Sequence, residues 1–404
     1  MPGVPDSGDD GLHAANTRLR ELLAERDARP ARCSCCGKSL KKAPVTAVER
    51  RQVTDIPPVK AVTTEHQMLT VKCGGGCETK AQAPDGVTAP VQYGPRIMGT
   101  GIYLWHGQFL SRDRACQALS DMFGCAPSPG ALAAAARKTA GFLAPAVQAI
   151  TRHLISAEVV HFDETGFRTA GKLAWVHSAS AGKFALFTVH AKRGKDGMKA
   201  AGVLPHFAGI AVHDAWAPYD TFGNVAGHAL CGAQYVLREL AAVTETGTDL
   251  DRTRAQQAID ALLALDEAAE AARAAGQAAI DPETRTKHED WYRQAAATGI
   301  ALNAARQGKL QQKRHALATR MKTREGDYLR FARDLRIPFT NNAAEQAIRM
   351  SKLRIKISGC MRSMAGAEEF CALRSYLATA RHGIGALDAL TTAFQGDPWI
   401  PETG

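Results

Sequence analysis

Between Glu158 and Phe222 the chain reads as four short apolar runs of strand length, with helical texture on both sides. AEVVHFDETGF predicts a strand over Glu158–Phe162 that ends in acids. LAWVHSAS and KFALFTVHAK predict two more, joined by a tight AGK turn, and GIAVHDAWAPYDTF a fourth that also ends in an acid. Residues 241–335, rich in Ala, Gln and charge, read as helix throughout, and a new helix begins after Pro338 at TNNAAEQAIRM. A short sheet bracketed by helices predicts an α/β core with a large helical insertion. The 404 residues allow two to four domains. Charged residues at 22% beside apolar residues at 45% exclude global disorder and a collagen-like fibre. No run reaches about 18 apolar residues, so no transmembrane helix or membrane partner is expected. The N-terminal MPGVPDSGDDGLH lacks the basic-then-apolar order of a secretion signal, which points to the cytoplasm.

Ten cysteines in such a chain do not predict a disulfide framework, and five of them crowd into residues 33–77. Cys33 and Cys36 form a CxxC knuckle, and Cys73 and Cys77 a CxxxC knuckle. Four thiolates from two tight turns suit one tetrahedral structural Zn²⁺, and Gly37 and Gly74 to Gly76 supply the turns. Cys35 competes with Cys33 for the ligand role, and His66 is an alternative to one of the cysteines. The stretch between the knuckles alternates like strands around Pro57 and Pro58, so a small β-rich module is expected over 31–92. Ahead of it, after a disordered start, Leu12, Leu19, Leu22 and Leu23 share one face of a short helix that is a candidate subunit contact.

Residues 95–145 read as three helices. Ser111 caps one that carries Ala115, Leu119 and Phe123, the turn GCAPS follows, and another helix opens near Pro129. Helix, glycine-containing turn, helix is the pattern of a helix-turn-helix, here in a domain over 93–150. Its second helix would enter a major groove, although Arg137 and Lys138 are its basic residues. A plain helical packing domain fits the same pattern.

Three acids stand out. Asp163 and Asp214 end two strands, at the edge where open α/β sheets build sites, and Glu345 sits on the helix after Pro338. Three hard oxygen donors without a Cys/His cluster favour Mg²⁺ or Mn²⁺. Two such ions, about 3.5–4 Å apart, serve phosphodiester chemistry. Glu164 competes with Asp163 and Asp220 with Asp214, Asp214 could instead cap the next helix, and Glu345 could close a capping box with Asn342.

The formal charge of +10 points to a polyanionic partner. It is concentrated: residues 301–381 carry 17 Lys and Arg against 6 Asp and Glu, a net +11, whereas 241–290 nets −6. Arg349, four residues after Glu345, shares its helix face and can reach a phosphate held there. Lys352, Arg354, Lys356 and Arg362 follow with no acid between them, a phosphate-neutralising set that would make DNA binding salt-dependent.

The run DLRIPFTNNAAEQAIRMSKLRIKISGCMRSMAGAEEFCALRSYLATAR closely resembles the end of insertion sequence 66-type transposases. HFDETGF, VHDAWAPYDTF, HALC and the four-cysteine module occur in that family's order, so the likeness covers nearly the whole chain. The resemblance implies a DDE transposase with a ribonuclease H-like catalytic core, metal ligands at Asp163, Asp214 and Glu345, and a helical insertion between the second Asp and the Glu. It implies that the zinc and helix-turn-helix modules bind the element's inverted repeats. By analogy it also implies target DNA as a second substrate, a homodimer on DNA in the nucleoid, and small accessory proteins. Relatives often carry a His after the Cys of HALC, where this chain has Gln234; His228 and Cys231 are retained. The role could pass to His228, or these residues could pack under the insertion. Two further functions are compatible with the sequence. One is a non-catalytic zinc and helix-turn-helix regulator, against which the intact acid trio argues; the other is a nuclease on the same core without strand transfer.

Overall fold

The computed structural model describes residues 29–49, 51, 55–56 and 59–402. The helix expected over Leu12–Ala28 lies outside the described residues. The chain divides into two compact units, Met1–Pro58 and Val59–Gly404.

In the first unit an isolated bridge between Arg32 and Ser39 closes the Cys33–Cys36 turn. The Cys33 N–H donates to the Lys38 carbonyl at 2.9 Å and the Gly37 N–H to the Cys33 carbonyl at 3.0 Å. Gly37 has φ +70°, a conformation that a side chain would strain.

The second unit starts with exposed extended chain, then a small hairpin of β1 (Thr70–Lys72) and β2 (Glu78–Lys80) around Cys73 and Cys77. The strand content expected around Pro57 and Pro58 is confined to this hairpin and the Arg32–Ser39 bridge among the described residues. Val62 and Leu69 remain 89% and 64% exposed, so the alternation there has no second layer to bury against.

Helices α1 (Pro95–Ile102), α2 (Arg112–Phe123), α3 (Pro129–Phe142) and α4 (Ala144–Ser156) follow, with a π turn over Tyr103–Gly107. The side chain of Ser111 accepts from Arg114 N–H and caps α2 as the sequence predicts, and Ser128, from the GCAPS turn, caps α3 by accepting from Ala131 N–H.

The sheet comprises β3 (Val159–Thr169), β4 (Lys172–Ala181), β5 (Phe184–His190), β6 (Ile210–His213) and β7 (Gly227–Leu230). Helix α5 (Lys195–Ala200) lies between β5 and β6. The strand order is β5-β4-β3-β6-β7, antiparallel across β3–β4–β5 and parallel across β3–β6–β7. β3 does not stop at Phe162, as the sequence suggests, but runs on through both acids to Thr169, because β4 pairs with it along that whole length.

A run of helices follows β7: α6 (Arg238–Thr246), α7 (Asp249–Ala274), α8 (Pro282–Leu302), α9 (Gly308–Thr323), α10 (Glu325–Tyr328) and α11 (Arg330–Arg333). Ala255, Ala258, Leu262, Leu265 and Ala269 make a small-residue stripe at helical spacing on α7, and it builds a core that reaches Val212 and Leu230 at the sheet. The chain ends in α12 (Asn342–Ser358), α13 (Met364–Ala380) and α14 (Ala386–Gln395).

One sheet face packs Val160 and Phe162 against Ile150 and Leu154 of α4. The other packs Phe167, Val176 and Phe187 against Ile348 of α12 and Phe370 of α13. Residues of α1 to α4 share a single core with Leu373, Tyr376 and Leu390 of the last two helices. The expected helix-turn-helix thus folds together with the C-terminal segment.

Candidate active site

The parallel register pairs His161 with Val212, so two residues further on Asp163 stands level with Asp214. Adjacent strands lie about 4.8 Å apart, and neighbours in a parallel pair point to the same face. That face is the one covered by α12, since Phe167 of the same parity packs with Ile348. Glu345 lies in the first turn of α12. Burial foremost, then the charges of Glu164, Asp214 and Glu345, push the Asp163 carboxyl up to about 7, against the lowering pull of the Glu164 N–H. That N–H donates to Asp163 Oδ1 at 2.8 Å.

Strand alternation sends Glu164 to the opposite face. There it is buried, accepts two bonds from Arg193 at 2.8 and 2.9 Å, and accepts the Tyr219 hydroxyl at 2.5 Å. Arg193 in turn sits 3.9 Å over Trp216 and 4.9 Å over Trp175. Glu164 is therefore occupied as a strut. Asp220 pairs with Arg324 through both of its oxygens, at 2.9 and 3.1 Å. Asp214 does accept the Trp216 N–H at 3.1 Å, opening the turn Ala217–Thr221 as a cap would.

The capping box between Asn342 and Glu345 is not formed: Asn341 is the N-cap residue of α12, and its side chain makes no cap bond. Instead Asn341, 1% exposed, ties α12 to the sheet. Its Nδ2 donates to the Phe162 carbonyl at 2.8 Å, which turns its Oδ1 to the His161 Nδ1–H, also at 2.8 Å. Its backbone N–H donates to the buried Cys231 Sγ at 3.2 Å. Gly232 lies so close to Phe339 that a Cβ would meet the ring at 2.0 Å, so the chain can pass there only as glycine. Sequence reasoning missed His161, Arg193 and Tyr219 as parts of this region. Period-two alternation through DET was the available signal for separating Asp163 from Glu164.

Among the described residues, the one trio whose ligand atoms all lie within 4.8 Å of one another is His213, Asp220 and His228. His213 Nδ1 accepts the Ala215 N–H at 3.2 Å, so its Nε2 carries the proton and donates to His228 Nδ1 at 3.0 Å. A ligating imidazole would donate from its second nitrogen rather than accept there. With Asp220 also held by Arg324, this trio reads as a hydrogen-bonded prop for β6 and β7. His228 and Cys231 accordingly work in packing and positioning, and the side chain of Gln234 lies outside the described residues.

Arg349, Lys352 and Lys356 are exposed on α12 and Arg362 on the loop after it, with no ion pair among the described residues. Arg354 differs: it is 7% exposed, and its guanidinium donates to the Gly359 carbonyl at 3.1 Å. Its side chain is turned inward, off the exposed helix face that carries Arg349, Lys352 and Lys356. On α3 both cations are engaged within the fold, Arg137 with Glu369 at 3.2 Å and Lys138 over the Phe394 ring at 4.8 Å. The knuckles behave as ligand turns. The N–H groups of Cys36 and Cys35 lower the Cys33 thiol, and those of Cys77 and Gly75 lower Cys73. The Gly76 N–H donates to the Cys73 carbonyl at 2.9 Å.

These features define a two-part protein, a cysteine-knuckle stretch followed by a mixed α/β domain with an acidic face under a cation-lined helix. Residues 90–369 match the family described as Transposase IS66 family, and residues 30–78 match the zinc-finger binding domain of transposase IS66. The first match alone spans more than half of the chain, and the protein belongs to the IS66 transposase family. Its zinc-finger and transposase domains imply DNA as partner, Zn²⁺ for the finger and a divalent metal for the transposase domain. The comparison with curated proteins finds no match. No helix among the described residues is long and apolar enough to cross a membrane.

Proposed function

We propose that this chain binds the inverted repeats of an insertion sequence, cuts the DNA there by hydrolysis, and joins the freed end to target DNA, working from a ribonuclease H-like core. What carries the reading is the placement of Asp163 and Asp214 level on adjacent parallel strands, with Glu345 in the first turn of α12 near enough for its charge to act on Asp163. A hairpin of three antiparallel strands followed by two parallel ones supports the core assignment.

The donor set fits hard divalent ions: three carboxylates, no thiol among them, and like charges that raise Asp163. Asp163, Asp214 and Glu345 would hold two Mg²⁺ or Mn²⁺ ions, which supply activation of the attacking oxygen and stabilisation of the leaving oxygen at phosphorus. Asn341 holds the first turn of α12 against β3 and so aims Glu345. Arg349, one turn further along, steadies the strand, while Lys352, Lys356 and Arg362 neutralise neighbouring phosphates. Water attacks the phosphodiester at the element end and the 3′-oxygen leaves as a hydroxyl; that hydroxyl then attacks a target phosphodiester, and the target strand's own 3′-oxygen leaves in turn.

In this reading 31–92 is the zinc-binding module, with Cys33, Cys36, Cys73 and Cys77 holding one Zn²⁺. Residues 93–150 help to grip the ends, 151–240 and 337–404 form the core, and 241–336 is the insertion. The protein works as a homodimer bridging two ends in the cytoplasm, with small companion proteins as partners.

The test is cleavage and joining of labelled inverted-repeat ends with Mg²⁺. Cut and joined products are expected from the native chain and neither from Asp163→Asn, Asp214→Asn or Glu345→Gln. Full activity in those variants overturns the site, and cutting without joining makes the protein a nuclease.

A further inference from the structure

We infer that His106, Arg354 and Arg374 form an oxyanion-binding site beneath the Gly359–Arg362 loop, distinct from the three acids. The three side chains are 5%, 7% and 7% exposed, each more than nine-tenths buried. Arg374 donates to the His106 carbonyl at 3.3 Å and lies 4.9 Å over the Phe109 ring. Arg354 donates to the Gly359 carbonyl and reaches Met361 Sδ at 3.5 Å. Among the described residues neither guanidinium meets a carboxylate.

The charges that His106 senses are those of Arg354 and Arg374, and at Arg354 the repulsion of Arg112 is opposed by the Cys360 sulfur. Both ring nitrogens of His106 are buried without a partner, as are Arg354 Nε and the Ser358 hydroxyl at the start of the loop. A buried guanidinium without a counter-charge is strongly unfavourable, and planar N–H forks match tetrahedral oxyanions. Two such groups and an orphaned imidazole therefore call for a phosphate- or sulfate-like ligand that enters from the side of the exposed Cys360 and Arg362. His106 sits in a π turn, a backbone irregularity often retained where a side chain must be aimed.

The shared chemistry has two sources, a free inorganic anion or a phosphate of bound DNA. The second source rests on the function proposed above; the first does not. The experiment compares thermal unfolding of the full chain in sodium sulfate and sodium chloride at equal ionic strength. A saturable rise in Tm at low millimolar sulfate is expected, and its loss in Arg354→Gln and Arg374→Gln. In chloride alone Arg374→Gln should unfold no lower than the native chain, because it removes an unpaired buried cation. A native chain with no saturable response overturns the site however the variants fold. So does an undiminished response in both variants, or a lower Tm for Arg374→Gln in both salts.

Sulfate that also weakens duplex binding by the native chain, and not by Arg354→Gln, identifies the ligand as a DNA phosphate. Unchanged duplex binding identifies a free anion. A chain inactive in cleavage still reports the sulfate shift, so the two proposals fail separately.

Discussion

Burial and neighbouring carboxylates keep the Asp163 carboxyl protonated to about pH 7, against an ordinary value of 3.8, so folding is linked to that proton. The folded pKa lies above the unfolded one. Its contribution is therefore full below about pH 4 and falls away as pH rises towards 7. Without divalent ions the native chain should lose stability between pH 5 and pH 8, while Asp163→Asn should lose less and be the more stable of the two at pH 8. Urea midpoints at both pH values check this, and parallel losses would assign the slope to another group. Asn341 makes a different kind of prediction. Asn341→Ala leaves the Phe162 carbonyl and His161 Nδ1 without partners, and should cost about 1–3 kcal/mol in the same measurement. Neither effect is visible in the string TNNAAE. The sequence offers Asn341 as a helix start, and only the folded chain gives its amide two partners about 180 residues away.

Helix α12 carries two faces with different duties. Arg349, Lys352 and Lys356 look outward, while Ile348, Ser351 and Arg354 are buried. Lys352→Ala and Lys356→Ala should each weaken duplex binding with little regard to sequence, and each should lower the slope of log affinity against log salt by about 1. Arg333→Ala is the contrasting case. Arg333 pairs with Glu289 and Glu325 at 2.8–2.9 Å, so its loss should lower the unfolding midpoint and leave the salt slope as it was. Fluorescence anisotropy over a salt series separates the two classes; equal slopes in all variants would remove α12 from the DNA surface. At this scale the sequence is informative, because caps and apolar periodicity act over three or four residues. Ser111, Ser128 and Pro129 start their helices where they are expected. β3 is the exception, since its extension through Thr169 depends on β4 as a partner.

For the molecule as a whole, charge is redistributed on folding. Much of the basic excess in residues 301–381 is spent inside the fold. Arg314, Arg320, Arg324 and Arg333 pair with Asp251, Glu239, Asp220 and Glu289. Asp251 and Glu289 lie in the acidic stretch 241–290, so that stretch and the basic residues after 301 partly neutralise one another. Arg349, Lys352, Lys356 and Arg362 are among the cations that stay exposed outside these pairs. Zinc belongs to this scale as well. The chain purified without chelator should carry about one Zn²⁺, and Cys36→Ser or Cys77→Ser should each abolish it, because either change leaves three of the four thiolates. Elemental analysis reads the stoichiometry directly, and metal-free protein would remove the assignment.

The sequence by itself determined the family, the cysteine knuckles, the helix starts and the positions of the three acids along the chain. These are properties of spacing, and spacing is local. The tertiary structure decided what engages Glu164 and Asp220, the competitors of the other two acids. Glu164 is turned to the far face by strand alternation, and Asp220 is held by Arg324, 104 residues away. It also decided which cations stay exposed, because an arginine is free only where the fold brings no carboxylate to it.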